Sequence, residues 1–496
     1  MPATVQHPDQ AKIRRLVLAT LLVIVALGAV LRIVEIGNES LWLDEATSVK
    51  FSHESPSRLI EETSKDVHPP LYYLALHYWV RFFGDSETAV RLLSALFGIL
   101  AIPVTYKLAA RMFDRSTGLL AAALLALSRF HLEFSQEARM YSLLCLLGVL
   151  SIYFFVTLVE GKSRLAFVGY IVATALMMYT HVYSFFILAA ENVYFLTLVF
   201  ASRSVFKGRW KRWLVAQAIL LILFLPWLSV QAQQFSRVQE GFWIPKMPPR
   251  LLLYTLTMYA GSYQLAWILS LLILLALFSG WKAWKGDPDT ESAGSKGLLE
   301  RRMKLYLLLL WLTFPIFLPY IVSQFSSPIF LPKYTIAALP AFTILAARGL
   351  LSLRFHQLRL VVLLLLIGSS FFTLKNYFDS DKKDLWREAV ASFQSLARPH
   401  DLVLFNDQSG RFPFQYYSRR SDLDEKPFPD FQEAVTAQNL SGALLRAVQD
   451  HERVWLVISH PNTLTPLIPR LLAEWYEHST RITYPGVEIY LFEKRR

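Results

Sequence analysis

Long apolar runs recur through almost all of the first 377 residues, and they constrain the fold of this chain more than any other feature. The first, residues 16–36, is broken mainly by Arg32 and Glu35. It is long enough to cross a hydrocarbon core about 30 Å thick, where the backbone has to satisfy its own hydrogen bonds as a helix. With 54% hydrophobic, 14% aromatic and 18% charged residues, the chain is too apolar for a soluble protein and too long for a single anchor. It reads as a polytopic α-helical membrane protein.

The formal charge of +12 fits that class. In a membrane chain a basic excess marks cytoplasmic loops, and no nucleic-acid-binding motif accompanies it. Arg203, Lys207, Arg209, Lys211 and Arg212 cluster without an acid, and Lys282, Lys285, Lys296, Arg301, Arg302 and Lys304 populate a second loop. Lys107, Arg111 and Arg115, then Lys162 with Arg164, then Arg354 with Arg359, make three more basic turns. Placing all five inside gives crossings near 16–36, 88–110, 117–130, 141–159, 165–181, 183–201, 213–230, 251–280, 304–324, 335–351 and 358–377, about eleven in all. The N-terminus is then cytoplasmic, with the first run kept as an anchor because it lacks a small-residue cleavage site. Residues 71–83 are short for a span, and their Tyr72, Tyr73, Tyr78 and Trp79 suit a helix in the outer interface or re-entering it.

The alternation gathers the unusual polar residues on the outer side, in loop 37–87, the turn 129–139, the loop 231–250, the turn 325–334 and everything past residue 378. This divides the chain into a membrane module, 1–377, and an extracytoplasmic segment, 378–496. The latter has the mixed composition of a small α/β domain, with helices expected at 384–396 and 464–475 and strands at 401–405, 453–459 and 487–492. Residues 286–297, rich in Asp, Ser and Gly, read as a cytoplasmic linker. The single cysteine, Cys145, excludes an intrachain disulfide and a cysteine metal cluster.

Several outer residues carry chemistry. Asp44 and Glu45 are adjacent acids beside Trp42 and Leu43, close behind the first span. Charges near a bilayer are costly unless paired or hydrated. Neighbouring residues diverge in a helix or strand, so the two acids serve different partners. His68 precedes Pro69 and Pro70, which hold it in an extended lead-in to residues 71–83. It can bind a phosphate, bind a metal or orient a hydroxyl, or simply punctuate a helix start. His131, Glu133, Glu137, Arg139 and Tyr141 crowd the turn near residue 130. Glu133 and Glu137, four apart, share one face of a helix. That cluster suits a divalent metal, a phosphate or an ion-paired helix end. Lys333 and Tyr334 open the tenth span, where a lysine either snorkels to the interface or meets a lipid phosphate. His181-Val182-Tyr183 reads as the polar cap of a helical hairpin.

As an ordered set these segments resemble the bacterial GT-C glycosyltransferases, the polytopic enzymes that include protein O-mannosyltransferase-like and aminoarabinose-transferase-like proteins. The set runs from residues 41–48 through His68 to Tyr73, Gly84 with residues 89–92, 135–141, Lys333-Tyr334 with 337–340, and Trp386-Arg387-Glu388-Ala389-Val390. It spans roughly residues 16–405. In such proteins the position of Lys333 is often arginine; lysine acts there as a point charge in place of a bidentate grip.

The resemblance implies transfer of a sugar from a polyprenyl-phosphate donor to a lipid, glycan or protein acceptor on the outer face of the cytoplasmic membrane. A lipid-linked donor agrees with acids placed outside, away from nucleotide sugars. Inverting transfer needs a base for the acceptor proton, and the resemblance assigns it to Asp44. Glu45, His68, Arg139, Tyr141, Lys333 and Tyr334 become donor-phosphate or substrate-binding residues. Some relatives use a divalent cation (Mg, Mn or Zn), for which Glu133, Glu137 and His131 are the candidate ligands. Two other classes share the composition: a flippase or transporter for lipid-linked sugars, which places polar residues nearer mid-bilayer, and a non-catalytic scaffold or sensor.

Overall fold

The computed structural model describes residues 8–161, 163–201, 209–240, 244–282, 294–380, 383–429, 436 and 438–495. Arg203 and Lys207 of the first basic cluster, Lys162, Lys285 and residues 286–293 of the expected linker lie outside them.

Each of the eleven expected crossings falls on helix. Among the described residues, seven helices are long and apolar enough to cross a membrane, and nine if each of two bent helix pairs counts once. Two shorter apolar helices, Arg164–Met178 and Ser184–Phe200, occupy the remaining expected positions. The result is a multi-pass membrane fold. Residues Leu71–Phe83 form a separate helix of 13 residues.

Three expectations are corrected. The span expected at 251–280 is two helices, Arg250–Ala260 and Tyr263–Ser279, bent by 93° at Gly261, whose φ of +90° is open to glycine at little cost. The loop expected at 231–250 is helical to residue 240, because the helix Arg209–Glu240 keeps a hydrogen-bonded ladder well past its apolar stretch. The linker expected to last to residue 297 gives way to the helix Gly294–Phe325. Polarity alone did not end a helix in the last two cases.

The chain divides into two compact units that ignore sequence order. The first comprises Met1–Val34, Ser55–Ala75 and Arg91–Ser380. Its buried polar groups are satisfied by backbone carbonyls and by side-chain hydroxyls. Arg32, fully buried, donates to the carbonyls of Gly28, Leu125 and Ala126 and to His131 Nδ1. It thereby supplies the carbonyls at the end of the helix Arg115–Ala126, where the chain bends 59° into the helix Arg129–Ser135. Gln136 reaches back to the carbonyls of Leu31, Arg32 and Val34 and accepts from Tyr377. Farther along, buried Glu191 accepts from Ser151 at 2.7 Å and from Tyr170 at 2.9 Å.

The second unit comprises Glu35–Glu54, Leu76–Val90 and Asp381–Arg496. The first-loop acids therefore group with the C-terminal segment. Its centre is one sheet in the order β2-β1-β3-β5-β4, with β1 at Leu402–Phe405, β2 at Asp424–Pro427, β3 at Arg453–Ile458, β4 at Tyr476–Tyr484 and β5 at Val487–Lys494. β1 pairs in parallel with β2 and β3, while β5 runs antiparallel to β3 and β4. Val403, Phe405, Trp455 and Val457 face the helices Trp386–Gln394 and Arg411–Ser418. Leu402, Leu404, Val454 and Leu456 face the helices Leu440–Val448 and Ile468–Trp475. That alternation is the period-2 geometry of strands buried on both faces.

Candidate functional site

In the first unit, four separate pieces of chain bring titratable and aromatic side chains together. Pro69 and Pro70 end a segment that bends at residues 66–68 in place of the expected extended lead-in, and Leu71 N–H donates to Tyr179 C=O at 3.1 Å. This joint ties the His68 segment to the turn after the helix Arg164–Met178. Consequently the rings of His68 and His181 lie 4.9 Å apart between centroids. The 3-10 turn Pro332–Ala338 sets Tyr334 against both, 6.0 Å from His68 and 4.8 Å from His181. Tyr141, at the start of the helix Tyr141–Glu160, stacks on Tyr334 at 6.2 Å.

Cations border this cluster. Lys333 Nζ stands 5.6 Å from the centre of the Tyr141 ring and 5.9 Å from that of Tyr334, within cation–π range. Arg139 is almost fully buried and donates from Nη1 to Tyr73 Oη at 3.1 Å. Its backbone carbonyl accepts from Ser94 Oγ, which also meets Tyr72 Oη at 2.8 Å.

Both histidines are neutral. Burial first, then the neighbouring His181, Arg139 and Lys333, holds His68 well below the usual histidine range. Burial, followed by Arg139 and Lys333, brings His181 down to about 3. Two of their ring nitrogens, His68 Nδ1 and His181 Nε2, are buried without a hydrogen-bond partner among the described residues. Each of these nitrogens has a hydrogen bond still to make, and a ligand is one group that can make it. The arrangement offers two cations, neutral imidazoles and phenols, a set suited to an anion carried on a small headgroup.

Five residues expected from the sequence thus come together: His68, Arg139, Tyr141, Lys333 and Tyr334. His181 is an addition, since as a hairpin cap it had no assigned chemistry. The alternation of spans already put it on the same side as the others, and that was the available signal.

The metal set does not assemble. Among the described residues no group of three His, Cys, Asp or Glu side chains is placed to hold an ion. Arg32 Nη2 meets His131 Nδ1 at 2.7 Å. A guanidinium only donates, so Nδ1 accepts and the neutral ring carries its proton on Nε2, leaving no lone pair for a metal. Glu133 and Glu137 do not share a helix face either, because the helix ends at Ser135 and Glu137 falls in the turn beyond it.

The second unit holds the other acids. Trp42 caps the helix Leu43–His53, putting Asp44 and Glu45 in its first turn, where negative charge complements the helix dipole. Their side chains diverge as expected. Glu45 is fully buried and pairs with Lys383 at 2.9 Å, whereas Asp44 is only partly covered. Glu45 is thereby engaged by a structural partner.

Residues of the Trp386–Gln394 helix fix the approach to these acids. Arg387 binds Glu87 at 2.7 Å and reaches the carbonyls of Gly37 and Asn38. Glu388 accepts from Ser40 Oγ at 3.0 Å, and Tyr417 Oη accepts from Leu41 N–H at 2.7 Å while donating to Glu87. Gly37 passes so close to Thr88 that a Cβ would fall 2.1 Å from its hydroxyl. The C-terminal segment therefore clamps the loop that carries Asp44.

Comparisons with known proteins agree with this architecture. Residues 67–230 match the family model described as dolichyl-phosphate-mannose-protein mannosyltransferase. An uncharacterized protein of Aquifex aeolicus is 25% identical over 322 residues, which make up 62% of this chain and 58% of that relative. Among solved structures, ArnT from Cupriavidus metallidurans bound to undecaprenyl phosphate superposes with a TM-score of 0.62 at 14% identity, over 95% of this chain and 97% of the other. The archaeal oligosaccharyltransferase AglB from Archaeoglobus fulgidus, in complex with an inhibitory peptide and a dolichol-phosphate, gives 0.59 at 12% identity, over 96% and 74%. Seen from its helices, its C-terminal sheet and these likenesses together, the chain has the fold of the GT-C membrane glycosyltransferases.

Proposed function

We propose that this protein transfers a sugar from a polyprenyl-phosphate donor to an acceptor hydroxyl or amine on the outer face of the cytoplasmic membrane, with inversion at the anomeric carbon. The observation that carries this reading is the convergence of buried Arg139, His68, Tyr141 and Tyr334 with half-buried Lys333 in one cluster. The phosphate-bearing lipids found with ArnT and AglB supply the substrate class by analogy.

In this reaction the acceptor heteroatom attacks the anomeric carbon, the bond from that carbon to the phosphate oxygen breaks, and the acceptor proton passes to the Asp44 carboxylate. The phosphodiester monoanion becomes a phosphomonoester dianion. Arg139 and Lys333 lower the barrier because they attract the charge that grows in the leaving group. The neutral histidines donate hydrogen bonds without adding charge. Asp44 suits the base by its position in the ordered motifs and by partial exposure, while Glu45 is held by Lys383.

The lipid chain is assigned to a cavity of about 540 Å³ lined by Ile60, Leu71, Leu74, Leu176, Tyr179 and Trp227, among others, whose wall includes both residues of the Leu71–Tyr179 joint. An apolar chamber adjoining a polar cluster is what an amphiphile with a small anionic head requires.

Incubation of the purified protein in nanodiscs with a polyprenyl-phosphate sugar tests the reading. Titration of undecaprenyl phosphate should show saturable binding that Arg139→Gln and Lys333→Gln each weaken at least tenfold. Equal binding by all three proteins contradicts the assignment of the cluster.

A further inference from the structure

His181 has a feature that sets it apart from the rest of the cluster. Its Nδ1 lies 3.1 Å from the backbone N–H of Tyr183, a bond made inside its own turn. A backbone amide can only donate, so Nδ1 is the acceptor and the neutral ring keeps its proton on Nε2. The tautomer is therefore set by the turn itself. Nε2–H is buried, on a residue with no exposed surface, and has no protein acceptor among the described residues. Around the ring stand His68, Tyr141, Tyr183 and Tyr334, with centroid distances from 4.8 to 6.3 Å.

A buried N–H without an acceptor forfeits the hydrogen bond it would have made in water, a loss that a bound acceptor recovers. Both Arg139 and Lys333 act electrostatically on the His181 ring, so an acceptor drawn to these cations comes within the same local field. An anionic oxygen accepts from Nε2–H and is attracted by both cations. A cation or a pure donor offers Nε2–H no acceptor.

We infer that His181 is a phosphate-binding residue whose Nε2–H, locked by the Tyr183 backbone amide, donates to a non-bridging oxygen of the polyprenyl phosphate beside Arg139 and Lys333. This rests on the donor class proposed above and adds a residue that distinguishes a phosphorylated polyprenyl lipid from the free alcohol. Because the imidazole stays neutral, it selects an acceptor by direction and leaves the charge balance of the site to the two cations.

Two substitutions separate this role from a structural one. In His181→Asn the amide oxygen takes over the Nδ1 position and still accepts from Tyr183, but nothing reaches the Nε2 position. In His181→Gln an amide N–H reaches the Nε2 position while the bond to the turn is given up. The full-length protein in nanodiscs is titrated with undecaprenyl phosphate and, in parallel, with undecaprenol, and its thermal unfolding is recorded.

The expected result is that His181→Asn, at a pH above the ordinary histidine range, unfolds like the wild type yet binds undecaprenyl phosphate at least tenfold more weakly, the loss expected for a hydrogen bond to a charged group. His181→Gln should bind within about threefold of the wild type, and undecaprenol should not distinguish the three proteins. In the wild type, the ¹⁵N resonance of the protonated Nε2 should shift on addition of undecaprenyl phosphate and stay in place with undecaprenol. Wild-type affinity in His181→Asn, or equal losses in Asn and Gln, overturns the assignment of His181 and leaves the donor reading standing. No saturable binding of undecaprenyl phosphate by the wild type overturns both.

Discussion

The imidazoles of His68 and His181, supplied by segments between different pairs of helices, lie 4.9 Å apart between ring centroids and are both buried. A pair of imidazolium ions could not share that position beside Arg139 and Lys333, and each ring is held neutral by burial above all.

This has a consequence for stability. A histidine with a lowered pKa in the fold takes up its proton more readily when unfolded, so acid favours unfolding. The His181 contribution is complete above about pH 6.5, the unfolded value, and is lost as pH falls from there toward about 3. Thermal unfolding followed between about pH 6.5 and 4.5 should be steeper in the wild type than in His181→Asn, by up to about 1.4 kcal/mol per pH unit. Parallel slopes would show that the fold does not lower the His181 pKa.

Asp44 and Glu45 should separate cleanly by substitution. Lys383→Met takes the Lys383 ammonium away from the buried Glu45 carboxylate and should cost about 3–5 kcal/mol. Adding Glu45→Gln to it should recover most of that loss, because the charge that Lys383 balanced is gone. Asp44→Asn should alter stability by no more than about 1 kcal/mol. Chemical or thermal unfolding of the four proteins measures this, and a double variant as unstable as Lys383→Met would disprove the ion-pair account.

Lys333 offers a third comparison. Lys333→Arg keeps the charge and adds a planar fork, so undecaprenyl phosphate should bind as tightly as to the wild type or better. Lys333→Gln should bind at least tenfold more weakly. Ranking arginine with glutamine would mean that the lysine serves packing against Tyr141 and Tyr334 and not charge.

The apolar chamber predicts a dependence on chain length. Leu74→Asn places an amide in its wall and should weaken binding of undecaprenyl phosphate, while geranyl phosphate, too short to fill the chamber, should be little affected. Equal weakening of both ligands would locate the lipid chain elsewhere.

Much of this was legible in the sequence because apolar length and basic loops report directly on helices and their alternation. All eleven expected crossings are helical, and 71–83 emerges as its own short helix. The bend at Gly261 was not legible, since both halves of 251–280 are apolar and the glycine alone does not set an angle. In the C-terminal segment the buried strands β1, β3 and β5 stood out as apolar runs. β2, of sequence Asp-Glu-Lys-Pro, carries no such signal, and its partner β1 determines it.

The site divides in the same way. His68, Arg139, Tyr141, Lys333 and Tyr334 were recognisable from motif order. The neutral tautomers of His131 and His181 were not, because each is decided by a single donor, Arg32 in one case and the Tyr183 amide in the other. Nor was the duty of Arg387 and Glu388, which depends on loop 37–41 being close to a helix far along the chain.

In the proposed reaction Asp44 deprotonates an acceptor while a polyprenyl-phosphate sugar is consumed. The most direct measurement is release of polyprenyl phosphate by wild type and Asp44→Asn in nanodiscs, supplied with a panel of polyprenyl-phosphate sugars and candidate acceptors. The account predicts sustained release by the wild type from at least one donor and a loss of at least a hundredfold in Asp44→Asn with its undecaprenyl phosphate affinity intact. Turnover by Asp44→Asn at the wild-type rate would contradict it.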